Sequence, residues 1–169
     1  MHRIFALLLC AAAFLLAPPA KADVAMTFYS HDFGSKFPHA FFTVKGKLDG
    51  NGKAVDAGYG FTATSVSPAI LMGSVKGAVQ SPKPDYIAKS NAHFTVRLSD
   101  SQYTQVMAMV SRWQALPGKS YNLGKRNCVH FIMDVVAAVG LKQNRQTKYL
   151  KKPKSFLNEV VSLNPGLSL

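Results

Sequence analysis

Asn127-Cys128-Val129-His130-Phe131 sets a thiol at the start of an apolar run. Cys128, Phe131, Ile132, Val135, Val136 and Val139 recur at helical spacing, and Gly140 follows where a helix would stop. Asn127 is a favoured N-cap residue, so Cys128 falls in the first turn of that helix. There the unpaired N–H groups and the helix dipole favour a thiolate, which is the nucleophilic form. The same N–H groups could hold the oxyanion of an acyl-transfer intermediate. The plainer alternative is that Cys128 begins the apolar face as a small hydrophobic residue.

A cysteine nucleophile needs a base, and His130 is badly placed for that work. Two helical steps turn its side chain to another face, because residues i and i+2 do not meet on a helix. The other candidates are His31, His39 and His93. His39 opens an apolar, β-branched and aromatic stretch (HAFFTVK) after Pro38, where a strand would hold the imidazole rigidly beside a core. His31 lies beside Asp32 in an expected loop, and His93 begins a strand with no acid nearby in sequence. No H-x-x-x-H or C-x-x-C spacing is present, so neither a metal nor another cofactor is called for.

The elements that must position these residues follow from periodicity. Val24–Ser30, His39–Lys45, Val55–Thr64 and His93–Leu98 read as strands. Asp49-Gly50-Asn51-Gly52 reads as a turn with two glycines at positive φ, and Ile70–Val79 as a further strand or covering segment. Ser99 and Gln102 form a capping-box pair ahead of Tyr103, Val106, Met107, Val110 and Trp113, an amphipathic helix that ends before Pro117-Gly118. Residues 142–154 hold six Lys and Arg and no acid, which suits a solvated basic segment, and Phe156–Leu163 suits a short helix capped by Ser155. Strands first and helices last give an α+β domain, a small antiparallel sheet packed on two main helices.

The bulk properties locate the domain. Arg3, the apolar run Ile4–Ala17, the Pro18-Pro19 break and Ala20-Lys21-Ala22 have the order of a cleavable export signal, too short to span a bilayer. Cleavage near Ala22 leaves 147 residues as one domain, with eighteen Lys and Arg against eight acids and a net charge of +10. Cys10 goes with the signal, and Cys128 stays as the one thiol, unable to form an internal disulfide. The expected location is secreted or periplasmic. A basic exported domain meets anionic surfaces such as wall polymer or lipid headgroups. Nucleic acid is not expected, because aromatic and basic residues do not alternate as a stacking surface requires. Oligomeric state is not legible.

These residues together resemble a family. His39-Ala40-Phe41-Phe42-Thr43-Val44, Val55-Asp56-Ala57 and Arg126-Asn127-Cys128-Val129-His130-Phe131, with a helix ahead of the cysteine, resemble the circularly permuted papain-like superfamily. That group includes permuted NlpC-type amidases and lecithin:retinol acyltransferase-like proteins. The resemblance implies a papain-like cysteine hydrolase fold with Cys128 as nucleophile and His39 as its partner. It also implies a polar orienter on the next strand, which Asp56 matches by its apolar-polar-Ala step. Asp56 lies 17 residues after His39, however, and a symmetric hairpin would bring Thr62 opposite His39 instead.

The function implied is amide hydrolysis, with peptidoglycan peptides as the envelope substrate. The alternatives are an acyltransferase or lipase on phospholipid and an inactive module that binds an anionic envelope surface. Expressed in a bacterial host, the protein is expected to begin at Asp23, and N-terminal sequencing of the envelope fraction checks this. A chain that keeps Met1 in the cytoplasm contradicts the export signal.

Overall fold

The computed structural model describes residues 23–32, 37–65, 67–167 and 169; the expected export signal over residues 1–22 lies outside them. The elements in chain order are β1 (Val24–His31), β2 (His39–Lys47), β3 (Ala54–Ala63), α1 (Ala69–Met72), β4 (Gly77–Gln80), α2 (Pro84–Ala88), β5 (Asn91–Leu98), α3 (Asp100–Gln114), α4 (Cys128–Ala138) and α5 (Pro153–Leu163). The strands form one antiparallel sheet in the order β4-β3-β2-β1-β5. The fold is α+β.

Alternation along the strands separates two faces. Val24, Met26 and Phe28 of β1, Ala40, Phe42 and Val44 of β2, and Val55, Phe61 and Ala63 of β3 are buried in one core against the helices. Phe131 of α4 lies 5.9 Å from the Phe42 ring and 5.3 Å from Trp113 of α3, which itself packs on Phe61 at 4.7 Å. The Trp113 indole N–H donates to the Asp134 carboxylate at 3.1 Å, fixing α3 against α4. Helix α5 buries Phe156, Leu157 and Val160 on the same side, so three helices rather than two cover the sheet.

The opposite face is not open. The chain leaves β4 at one edge and re-enters as β5 at the other, and α2 makes that crossing. Tyr86 of α2 stacks on His31 (4.1 Å) and lies 5.7 Å from Phe41, while Phe41 stacks on Tyr29 (5.1 Å). A second aromatic layer therefore forms behind the sheet, and His39 belongs to it, 6.1 Å from Phe41.

The caps agree with the sequence in two places. Ser99 and Gln102 form the capping box of α3, and Asn127 caps α4. Elsewhere the chain differs. One positive φ suffices for the β2–β3 turn, Gly52 at +65°. The Asp100 carboxylate holds that turn by accepting from Asp49 N and Gly50 N at 2.9 and 2.8 Å. Residues 70–79 divide into α1 and β4, because Gly73 and Gly77 interrupt the apolar run. Helix α5 starts at Pro153, with Ser155 already inside it, since a proline needs no N–H partner in a first turn.

Asn127 carries more than a cap. Its Oδ1 accepts from Val129 N (2.8 Å) and His130 N (3.3 Å), and its Nδ2 donates to Leu123 O and Leu150 O, both at 2.8 Å. The His130 imidazole closes the motif, with Nδ1 accepting from Asn127 N at 3.3 Å. Asn127→Ala is expected to cost roughly 2–4 kcal/mol: the cap, about 1 kcal/mol, plus two carbonyls left unpaired. Asn127→Ser should recover only the cap. Urea unfolding of the three proteins measures this, and full recovery by serine would show that the two carbonyl bonds add nothing.

Candidate active site

Cys128 is the first residue of α4, on the core side of the sheet and only 3% exposed. Its sulfur lies against the start of β2, where the Ala40 backbone N–H hydrogen-bonds toward it. Ala40 directly follows His39. Strand alternation then sends the two side chains apart: Ala40 faces the core, and His39 faces the aromatic layer behind the sheet. The His39 ring lies over β3, close enough that a Cβ on Gly60 would stand 2.5 Å from Nε2. A residue with any side chain at position 60 would collide with this ring.

Two hollows meet at this strand start. One, about 390 Å³, is lined by His39, Gly60, Thr62, Gln80 and Tyr86 among others. The second, about 180 Å³, is lined by Cys128, Asn127, Leu150 and Lys151 among others. Phe37, Pro38 and Tyr121 line both. The structure therefore brings Cys128 and His39 to adjoining cavities around one turn of backbone. No hydrogen bond joins imidazole to thiol among the described residues.

Electrostatics set both groups in their neutral forms. Burial pushes the Cys128 thiol up to about 11, and hydrogen bonding from the backbone N–H groups of Ala40, Val129 and Cys128 itself offsets only part of that. The helix start was expected to depress the thiol; desolvation outweighs it. Burial likewise holds His39 down at about 4, with the neighbouring His31 adding a smaller push in the same direction. Around the sulfur, Tyr86 is raised to about 12, first by burial and then by Cys128, and Tyr121 is raised for the same two reasons. Both tyrosines escaped sequence reasoning, because neither stands in a motif that names it.

Asp56 is not brought to His39. Its side chain is 79% exposed and lies 4.0 Å from Lys45. The β2–β3 register pairs Lys45 with Asp56 and Phe42 with Tyr59, and its continuation sets Thr62 opposite His39. Asp56 is six residues farther along, about 20 Å away at the rise of a strand. Thr62 has its hydroxyl donating to Ala63 O at 3.4 Å. The N–H groups at the head of α4 are also fewer than expected for an oxyanion. Asn127 takes those of Val129 and His130, which leaves the Cys128 N–H, directed at its own sulfur.

The remaining histidines have structural partners. His93 bridges Ser30 Oγ (2.8 Å) and Asn158 Oδ1 (2.9 Å), tying α5 to the sheet, and His31 contacts Ser90 Oγ at 3.0 Å. The basic segment approaches the site more closely than its composition implied, since Lys151 lines the Cys128 hollow. No helix among the described residues is long and apolar enough to cross a membrane.

In the folded protein, alkylation of Cys128 is expected to be slow at neutral pH and to rise with pH toward about 11, because only the thiolate reacts. Unfolding should shift that rise down to the range of a free cysteine, near 8.5. The alkylation rate followed against pH by mass spectrometry reads both, and a folded-state rise below neutrality would contradict the effect of burial.

No protein-family model matches the chain, and no curated protein sequence matches it significantly. A solved structure described as the crystal structure of a type VI secretion system effector, TseH, is similar at a TM-score of 0.49 and 13% identity, over 82% of this chain and 87% of that one.

Proposed function

We propose that this protein is an exported thiol hydrolase of the permuted papain-like kind, cleaving an amide bond in peptidoglycan peptides. One observation carries the reading: the sulfur at the head of α4 rests on the backbone that immediately follows His39, and the two residues line cavities that adjoin. The motif resemblance at Asn127-Cys128-Val129-His130-Phe131 and His39–Val44 supports it.

The chemistry starts from a neutral thiol and a neutral imidazole. Nε2 of His39 lies against Gly60, and the proposed mechanism uses Nδ1, reaching the sulfur around the start of β2. As the thiol attacks the carbonyl carbon, its proton passes to Nδ1 and the S–C bond forms. The Cys128 N–H receives the resulting oxyanion. Collapse breaks the C–N bond, and the imidazolium returns its proton to the leaving amine. Water then attacks the thioester, giving a proton to His39, and the acid departs as the thiol is restored. Each charge in this cycle has the other as its buried partner, so the ion pair forms in step with attack and is not stored beforehand.

A second reading draws on one feature. Leu71 and Met72 of α1 are 70% and 89% exposed, and Ile70 beside them lines the His39 hollow. An apolar lip at the cavity edge favours acyl chains, and the same residues would cleave a phospholipid ester. The net positive charge suits an anionic surface in either case.

Purified peptidoglycan digested by the mature protein is expected to release new amino termini. Cys128→Ala and His39→Ala should each abolish release, about 10²-fold or more, with unchanged unfolding curves. The double variant should be no worse than either single one, since the two act as a unit. His130→Ala should lower stability and spare turnover. Release of fatty acid from phosphatidylglycerol vesicles, without amine release, would favour the lipid reading. Full activity of Cys128→Ala on either substrate overturns both, and no activity on any would leave a binding module.

A further inference from the structure

A working His39 needs a partner on Nε2, and the two strand residues expected to supply it do not. Asp56 is far along β3 and paired with Lys45, and the Thr62 hydroxyl is turned to Ala63 O. Nε2 lies against Gly60, which has no side chain to offer. Position 60 is therefore a gap in the row of side chains that crosses the sheet from β2 to β4.

That gap opens onto Gln80. Gly60 and Gln80 are directly paired in the β3–β4 ladder, so their side-chain directions share one face. That is the face on which His39 lies, and Gln80 and His39 line the same 390 Å³ hollow. Directly opposed Cβ positions lie about 4.5–5.5 Å apart, and long side chains also reach diagonal neighbours about 7–8 Å away. Gln80 is exposed, and its side chain is long enough to cross the bare glycine toward Nε2. Its carboxamide makes no hydrogen bond among the described residues, to His39 or to any rival, so a rotation of its own side chain is all that the bond to Nε2 requires.

Resting on the hydrolase reading above, we propose that Gln80 is the positioning residue of this site. Its carboxamide oxygen, passing over Gly60, accepts the Nε2–H of His39 and leaves Nδ1 unprotonated toward Cys128. The orienter thus comes from the second strand beyond the histidine, and the glycine between them is what lets it through. The other titratable groups around the ring are His31 on β1, Tyr86 and Asp85 of α2, Lys83 before α2, Tyr121 and Cys128. None of these lies on β3 or β4, from which Nε2 is approached.

The test uses two readouts that need no substrate. The first is the His39 tautomer, read by nitrogen-15 NMR of the mature protein at neutral pH. The second is the rate of Cys128 alkylation by iodoacetamide. The wild-type ring should carry its proton on Nε2. Gln80→Ala should release that tautomer and slow alkylation about tenfold, the equivalent of one unit in thiol pKa. Gln80→Glu should do the reverse, because a carboxylate on Nε2 favours the imidazolium and with it the thiolate, and alkylation should rise about tenfold. Gly60→Ala should mimic Gln80→Ala, since its new methyl would stand where Nε2 lies.

Opposite effects of alanine and glutamate are not produced by a side chain that only stabilises the strand. Wild-type tautomer and wild-type alkylation in both Gln80 variants overturn the proposal, and they leave the hydrolase reading intact if Cys128→Ala remains inactive. Conversely, full activity in Cys128→Ala removes the hydrolase reading, and the tautomer alone then decides the role of Gln80.

Discussion

Successive residues of a strand point to opposite faces, and the site hangs on that rule at the first two positions of β2. Ala40 faces the core and lies beneath the head of α4, which sets the depth of the Cys128 sulfur. His39 faces the other way and must find room behind the sheet. Much of the outer architecture answers that need. Gly60 supplies the space for the ring, Phe41 stacks beside it, and Tyr86 lines the same hollow. Helix α2 carries the chain across the back and closes the hollow. A one-residue slip of β2 against β1 or β3 would exchange the faces of His39 and Ala40 and dismantle both halves of the site.

Burial then fixes the resting state. Taking a thiol out of water disfavours its anion more than three nearby N–H groups favour it, and an imidazole in the same surroundings disfavours its cation. The two preferences reinforce each other, so the pair sits uncharged until something draws charge into the site. A protonated thiol is also a poor target for oxidants, which attack the thiolate. In a compartment where disulfides form readily, such a thiol is protected by its own desolvation.

Strands β1, β2, β3 and β5, helices α3 and α4 and their caps were legible because each rests on a local pattern. The α3 periodicity from Tyr103 to Trp113 and the Ser99–Gln102 pair are read within a few residues of chain, and so is Asn127 before Cys128. Cys128 and His39 were singled out in the same way. What escaped depends on distant partners. The thiol's protonation follows from how deeply α4 packs on β2, which no spacing encodes. Asp56 looked suitable by its neighbours, but the ladder register sets it beside Lys45 on an exposed strand surface. Gln80 and Gly60 are undistinguished in sequence, and only the pairing of β3 with β4 sets them in line with the imidazole. The division of residues 70–79 into helix and strand was hidden for another reason: short apolar runs broken by glycine fit either.

The bond from Asn127 Nδ2 to Leu150 O joins the head of α4 to a residue 23 positions later. It has a temporal meaning. The amide that organises the Cys128 helix turn cannot complete its bonds until residue 150 has emerged, and Lys151 and Pro153 arrive at the Cys128 hollow directly after it. In a chain made from N-terminus to C-terminus, the sheet and the two long helices exist before the thiol acquires its full cover. Completion of the Cys128 surroundings therefore waits on residues 150–153, made after every strand of the sheet and after α3 and α4.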